Sequence, residues 1–157
     1  MGDTASIVAA SGLVGAGLIG GTLFAFSTFI MAALRRMPDA EGVRAMQRIN
    51  TAVYTPLFMG PFFATTLLSV AALAFALLSA EQDRWAGVAT AGTIYLLGVF
   101  AVTAAGNVPL NNALDRIDAD APEAAEFWGR YLTVWTRWNH LRTAACVGAM
   151  LVFGLSI

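Results

Sequence analysis

Residues 138–157 read WNHLRTAACVGAMLVFGLSI, and the way this stretch divides decides the fold. Its uncharged part, residues 143–157, would rise only roughly 22 Å as a helix, against a hydrocarbon core of about 30 Å. A crossing of full length has to begin near Trp138. That start draws Trp138, Asn139, His140 and Arg142 to the edge of the hydrocarbon. An arginine costs on the order of 2.5–3.5 kcal/mol at a helix centre and less where it can snorkel. Partners from neighbouring helices are expected to offset that cost.

Upstream lie three longer runs. Residues 4–34, 49–80 and 85–114 carry no charge, and each exceeds the roughly 20 residues that a helix needs to span. The chain has 157 residues, 58% hydrophobic and only 12% charged, half the charge of an average soluble domain at about 25%. Its apolar surface must therefore meet lipid. The reading is all-α: one integral membrane four-helix bundle over residues 1–157, with an amphipathic cytoplasmic extension of the fourth helix. Glu81, Gln82, Asp83 and Arg84 make the turn of a hairpin between the second and third runs. The first cation, Arg35, follows the first run, so the basic leader of a secretory signal is missing and this segment is expected to stay in the mature protein.

Arginines orient the bundle. Arg35, Arg36, Arg44 and Arg48 occupy the first connection, Arg116, Arg130, Arg137 and Arg142 the third, and Arg84 alone the second. Positive-inside places both termini outside the cell membrane and the first and third connections in the cytoplasm. The end of the first helix, the start of the second, the end of the third and the start of the fourth then share one membrane face. Gly12, Ala16 and Gly20, with Gly17 and Gly21, give the first helix small faces that could serve packing within one chain or between copies in a homo-oligomer. Pro56, Pro61 and Pro109 interrupt helices near the shared face, either as packing kinks or to free carbonyls. In the third connection, Asp120 and Pro122 followed by Glu123 and Glu126 read as a helix start. Trp128, Tyr131, Trp135, Trp138 and Arg142 then fall on one side of that helix.

Single-residue counts exclude whole chemistries. Lysine is absent from the sequence, which removes Schiff-base catalysis and the phosphate-loop lysine. Cys146 and His140 are single, so no internal disulfide, cysteine-rich metal site or bis-histidine haem forms within one chain. A net charge of -1 offers no basic field for nucleic acid.

Three polar clusters lie on the shared face. Asn107 and Asn111 are four apart, with Asn112 beside them. They either cap a helix broken at Pro109, glue helices together, or line a site. The second cluster runs from Trp135 through Arg137, Trp138, Asn139, His140 and Arg142 to Thr143, where His140 alone has an ordinary pKa suited to proton transfer near neutrality. The third, Met46 to Asn50, opens the second span and offers Gln47 and Asn50.

Phe24-Ala-Phe-Ser27, Met46-Gln-Arg-Ile-Asn50, Asn107-Val-Pro-Leu-Asn111 and Trp135 to Thr143 stand in an order and spacing that resembles the small four-helix membrane family named after anthrone oxygenases. The resemblance covers nearly the whole chain. It implies oxidation of a lipophilic aromatic or carbonyl-activated substrate by molecular oxygen, with no flavin or metal cofactor. A cofactor-free oxygenase needs a base to make a substrate anion and a group to hold it. In that scheme His140 is the base, and Arg142 or Arg137 with Asn107 and Asn111 holds the oxyanion. Trp135 and Trp138 stack on a flat substrate, with Asn139, Asn50 and Gln47 around it. Replacing His140 by alanine is then expected to abolish turnover and spare the fold.

Two other classes fit the same residues. A haem-, quinone- or lipophilic-ligand-binding protein would use the same pocket, with His140 as the haem ligand. A structural or transport-accessory subunit would pack the polar cluster against itself and leave no cavity.

Overall fold

The computed structural model describes residues 2–78 and 82–157. Its elements are helical, with no strand among the described residues. Helix α1 (Gly2–Ala25) continues through a wide π turn, Phe26–Ile30, into α2 (Met31–Leu34). Then follow α3 (Asp39–Ala52), α4 (Pro56–Leu78) and α5 (Gln82–Tyr95). The line of α5 runs on through two more π turns, Leu96–Ala101 and Thr103–Asn107, into α6 (Val108–Leu114), and α7 (Ala124–Leu155) ends the chain. Among the described residues, three stretches are long and apolar enough to cross a membrane: Thr4–Leu34, Pro56–Leu78 and Trp85–Leu114.

The long helices form a closed ring, in which α1 packs against α4 and α7, and α5 packs against the same two. Small residues set the spacing. A Cβ on Gly20 would stand 2.9 Å from the Cβ of Cys146 in α7, and one on Gly15 would sit 1.9 Å from the hydroxyl of Thr65 in α4. Gly21 faces open space, so only part of the glycine pattern serves contacts inside the chain. The core of this ring includes Ala9, Ala16, Ile19, Val88, Tyr95, Val99, Ala149 and Phe153.

A second core sits beyond the end of the ring, where Val43 and Met46 of α3 meet Met31, Leu114, Trp128, Tyr131 and Trp135. Helix α3 starts after Pro38 with Asp39 and Glu41 in its first turn, where acids meet the positive end of the helix dipole. It buries Gly42, Val43, Met46 and Asn50, the one-sided spacing of an amphipathic helix.

Here the structure corrects two sequence expectations. Gln47 and Asn50 close α3 and do not open the second span, because the chain breaks at Val53–Thr55. Proline restricts the preceding residue away from helical geometry, so Pro56 starts α4 afresh. Helix α5 begins at Gln82 and includes Asp83 and Arg84; the rest of the expected hairpin turn, residues 79–81, lies outside the described residues. The helix start expected around residues 120–126 is found: α7 begins at Ala124, with Glu123 as its N-cap and Glu126 in its first turn.

Candidate functional site

Between the ring and the second core lies a cavity of about 200 Å³. Its walls come from α1, α3, α4, the π turns after α5, and α7. Apolar walls include Ile19, Phe26, Met46, Phe62, Val99 and Trp135, and the polar residues among them include Thr22, Asn50, Thr103, Asn107, Asn111 and Arg142. Tyr54 and Phe63 also line it and are exposed on the outer surface, which puts the mouth beside the α3–α4 break.

Arg142 is the single cation on this wall and is only 7% exposed. Asn139, one turn earlier on α7 and fully buried, accepts a hydrogen bond of 2.7 Å from Arg142 Nη2. The Asn139 amide nitrogen donates to the carbonyl of Leu23 and the hydroxyl of Ser27, both at 2.8 Å. Thr103 accepts from Arg142 Nη1 at 3.2 Å. Thr143 joins Ser27 at 3.0 Å, and its hydroxyl also bonds the Asn139 carbonyl. The guanidinium also lies over the Trp135 ring, 5.3 Å from its centroid, a cation–π contact that gains strength away from water. Side chains from three helical lines thus offset the cost of burying this charge.

Trp135 is fixed as firmly. Its indole N–H donates to Asn111 Oδ1 at 2.7 Å, and the Tyr131 hydroxyl donates to the same oxygen at 2.9 Å. Phe26 packs on it from α1. Asn107 donates to the Trp135 carbonyl at 3.2 Å. Asn50 donates to Asp115 at 3.1 Å. Gln47 lies behind the cavity wall and donates to the carbonyls of Leu114 and Ile117, both at 2.9 Å, closing the end of α6. Arg44 pairs with Asp120 across the same loop, and that hydrogen-bonded carboxylate holds the Arg44 pKa above its ordinary value.

Among the described residues, the buried side-chain atoms without a partner include Asn107 Oδ1 and Arg142 Nε, both on cavity-lining residues. Unmet polar capacity in a buried setting is costly and marks a place to look for function.

The proposed residues therefore separate. Arg142, Asn107, Asn111, Asn50 and Trp135 share the cavity wall, and Asn139 supports Arg142 from behind. His140 and Arg137 are exposed and line no part of the cavity. Adjacent helical residues differ by about 100° in direction, so burying Asn139 turns His140 outward. The His140 imidazole therefore points away from this cavity's wall. Trp138 is 40% exposed and lies against Gly106, also off the wall. Sequence reasoning did not assign Thr103, Thr143, Tyr131 and Ser27 to the site, although Ser27 and Thr143 fall within the motifs quoted above and Tyr131 within the aromatic stripe. Thr103 gave no signal beyond its four-residue spacing to Asn107.

The family model for anthrone oxygenase matches residues 48–152. The match takes in every part of the cavity except Ile19, Thr22, Leu23, Phe26 and Met46, and the chain belongs to this family. No curated protein and no solved structure matches it.

Proposed function

We propose that the chain is a membrane-embedded oxygenase that converts an activated methylene or ring carbon of a lipophilic aromatic substrate to a carbonyl with molecular oxygen. The observation that carries this reading is the Arg142 guanidinium, anchored by Asn139 and Thr103 at the wall of an otherwise mostly apolar cavity. In low dielectric a fixed cation strongly favours an oxyanion. Arg142 holds the enolate or phenolate oxygen, and Trp135 contacts the ring. The proton passes to water at the mouth beside the α3–α4 break; His140 and Asp115 are both exposed and line no part of the cavity. The anion reduces oxygen, the two recombine as a hydroperoxide, and loss of water gives the new carbonyl: R₂CH₂ + O₂ → R₂C=O + H₂O.

The outer face of α7 carries exposed Leu141, Val147, Leu151 and Leu155, which supports its C-terminal half as a fourth crossing beside the three apolar helices. With the arginines gathered at the α3 end, the positive-inside rule puts both termini outside and the mouth near the cytoplasmic face of the cell membrane.

The test is oxygen uptake by protein purified in mild detergent, with a panel of one-, two- and three-ring phenols and aryl ketones. Arg142→Gln serves as the background for spontaneous oxidation. Oxygen-18 should appear in the new carbonyl of the product. Uptake equal to that of Arg142→Gln across the panel would overturn the reading, and binding without uptake would favour a lipophilic-ligand carrier.

A further inference from the structure

We infer that Asn107 is a specificity-determining residue: its amide oxygen accepts a hydrogen bond from a hydroxyl of the substrate, on a ring carbon beyond the one peri to the carbonyl that Arg142 holds. The inference rests on the oxygenase reading for which substrate oxygen Arg142 takes, and on the cavity wall alone for the hydroxyl.

Chemistry fixes the direction of the amide. The Trp135 carbonyl can only accept, so the end of Asn107 that meets it at 3.2 Å has to be the nitrogen. The oxygen is left at the opposite end. Asn107 is 1% exposed and lines the cavity, and this oxygen is buried with no partner in the protein. A buried acceptor in that state costs free energy that a donor on a ligand would offset. The neighbouring oxygens on the wall are already engaged. The Thr103 hydroxyl donates to the Val99 carbonyl and accepts from Arg142, and Asn111 Oδ1 accepts from both Trp135 and Tyr131. An amide oxygen repels an oxyanion, so Asn107 does not share the task of Arg142 expected for it from the sequence. It reads a donor instead.

Spacing places that donor on the substrate. Thr103 takes the hydrogen bond from Arg142 Nη1, and Asn107 stands four residues further along the same line. Side chains at that separation lie about 5–6 Å apart. The oxygen at the guanidinium and the hydroxyl at Asn107 are therefore too far apart to bond each other. A hydroxyl peri to the carbonyl gives its proton to the carbonyl oxygen internally and has none to offer the wall. A hydroxyl one carbon further round the ring keeps its proton free for Asn107.

The experiment uses anthraquinones, which are already at the oxidation level of a product and so report binding without turnover. Titration calorimetry on the full chain in mild detergent compares 9,10-anthraquinone, 1-hydroxyanthraquinone and 2-hydroxyanthraquinone, at a pH below the phenol pKa of the last so that all three are neutral. The 2-hydroxy compound should bind about five- to tenfold more tightly than either of the others, the effect of one buried hydrogen bond. Asn107→Leu, or Asn107→Ala should the first variant fold poorly, should bring the three affinities within about twofold of one another. Loss of the Trp135 contact alone would weaken all three alike and leave their ratio unchanged. A preference for the 2-hydroxy compound that survives in the variant overturns the inference, as does equal binding of the three, or binding of none, in the unsubstituted protein. A preference lost in the variant, with no oxygen uptake on the phenol and ketone panel, upholds the role of Asn107 in binding and removes the oxygenase reading instead.

Discussion

Asn139 Oδ1 accepts a 2.7 Å hydrogen bond from Arg142 Nη2 while the other end of the same amide holds α1 through Leu23 and Ser27. One side chain thus aims the cation and locks two helices together. Asn139→Leu removes three hydrogen bonds and leaves Arg142 short of a partner. It should cost about 1–3 kcal/mol in thermal unfolding and lower kcat more than it raises KM, since the oxyanion contact matters most in the transition state.

Removing the cation itself should have the larger effect. Loss of one oxyanion-stabilising donor typically costs about 10²–10³ in kcat. Arg142→Gln should fall in that range or below, and Arg142→Lys should recover little because the two-point geometry to Asn139 and Thr103 needs a planar fork. Oxygen uptake under saturating substrate decides this.

The proton acceptor can be tested by substitution. His140→Ala should keep kcat within about twofold, because its ring is exposed and off the cavity wall. Asp115→Asn should likewise keep kcat within about twofold, since Asp115 is exposed, lies off the cavity wall and only accepts a hydrogen bond from Asn50. A loss of about 10² or more in either variant would make that side chain the base.

Packing between α1 and α4 gives a test without substrate. Gly15→Ala places a methyl 1.9 Å from the Thr65 hydroxyl and should destabilise the fold by about 1–3 kcal/mol. Adding Thr65→Ala removes the obstacle and should restore most of the loss, as read from thermal unfolding in detergent.

Gln47 closes the last turn of α6 by donating to two carbonyls. Gln47→Leu leaves both without that donor and should cost about 1–2 kcal/mol, with faster proteolysis between residues 115 and 123. Activity should fall only as far as the α6 end loosens.

Much of this was legible in the sequence. The uncharged runs gave three apolar helices, and the short last run required partners for Arg142. The four-residue spacing put Asn107 and Asn111 on one side of one element, where both now line the cavity. What the sequence left undecided was rotational. Whether Asn139 or His140 faces inward depends on how α7 is turned, and that is set by its contacts with α1 and α5. The π turns, which shift the direction of everything after them, have no signature in composition. The separation of α3 from α4 was missed because an uncharged run from Ile49 onward hid a break that Pro56 imposes on Thr55.

The widened turns at Leu96–Ala101 and Thr103–Asn107 each accommodate backbone that an ordinary α-helix of the same rise would not hold. Deleting one residue there would close the bulge into regular helix and re-aim Thr103 and Asn107, the two cavity residues within the second of these turns. Exchange of side chains along this stretch is therefore easier to absorb than a change in its length, and the count of residues between Tyr95 and Asn111 is itself a functional constraint.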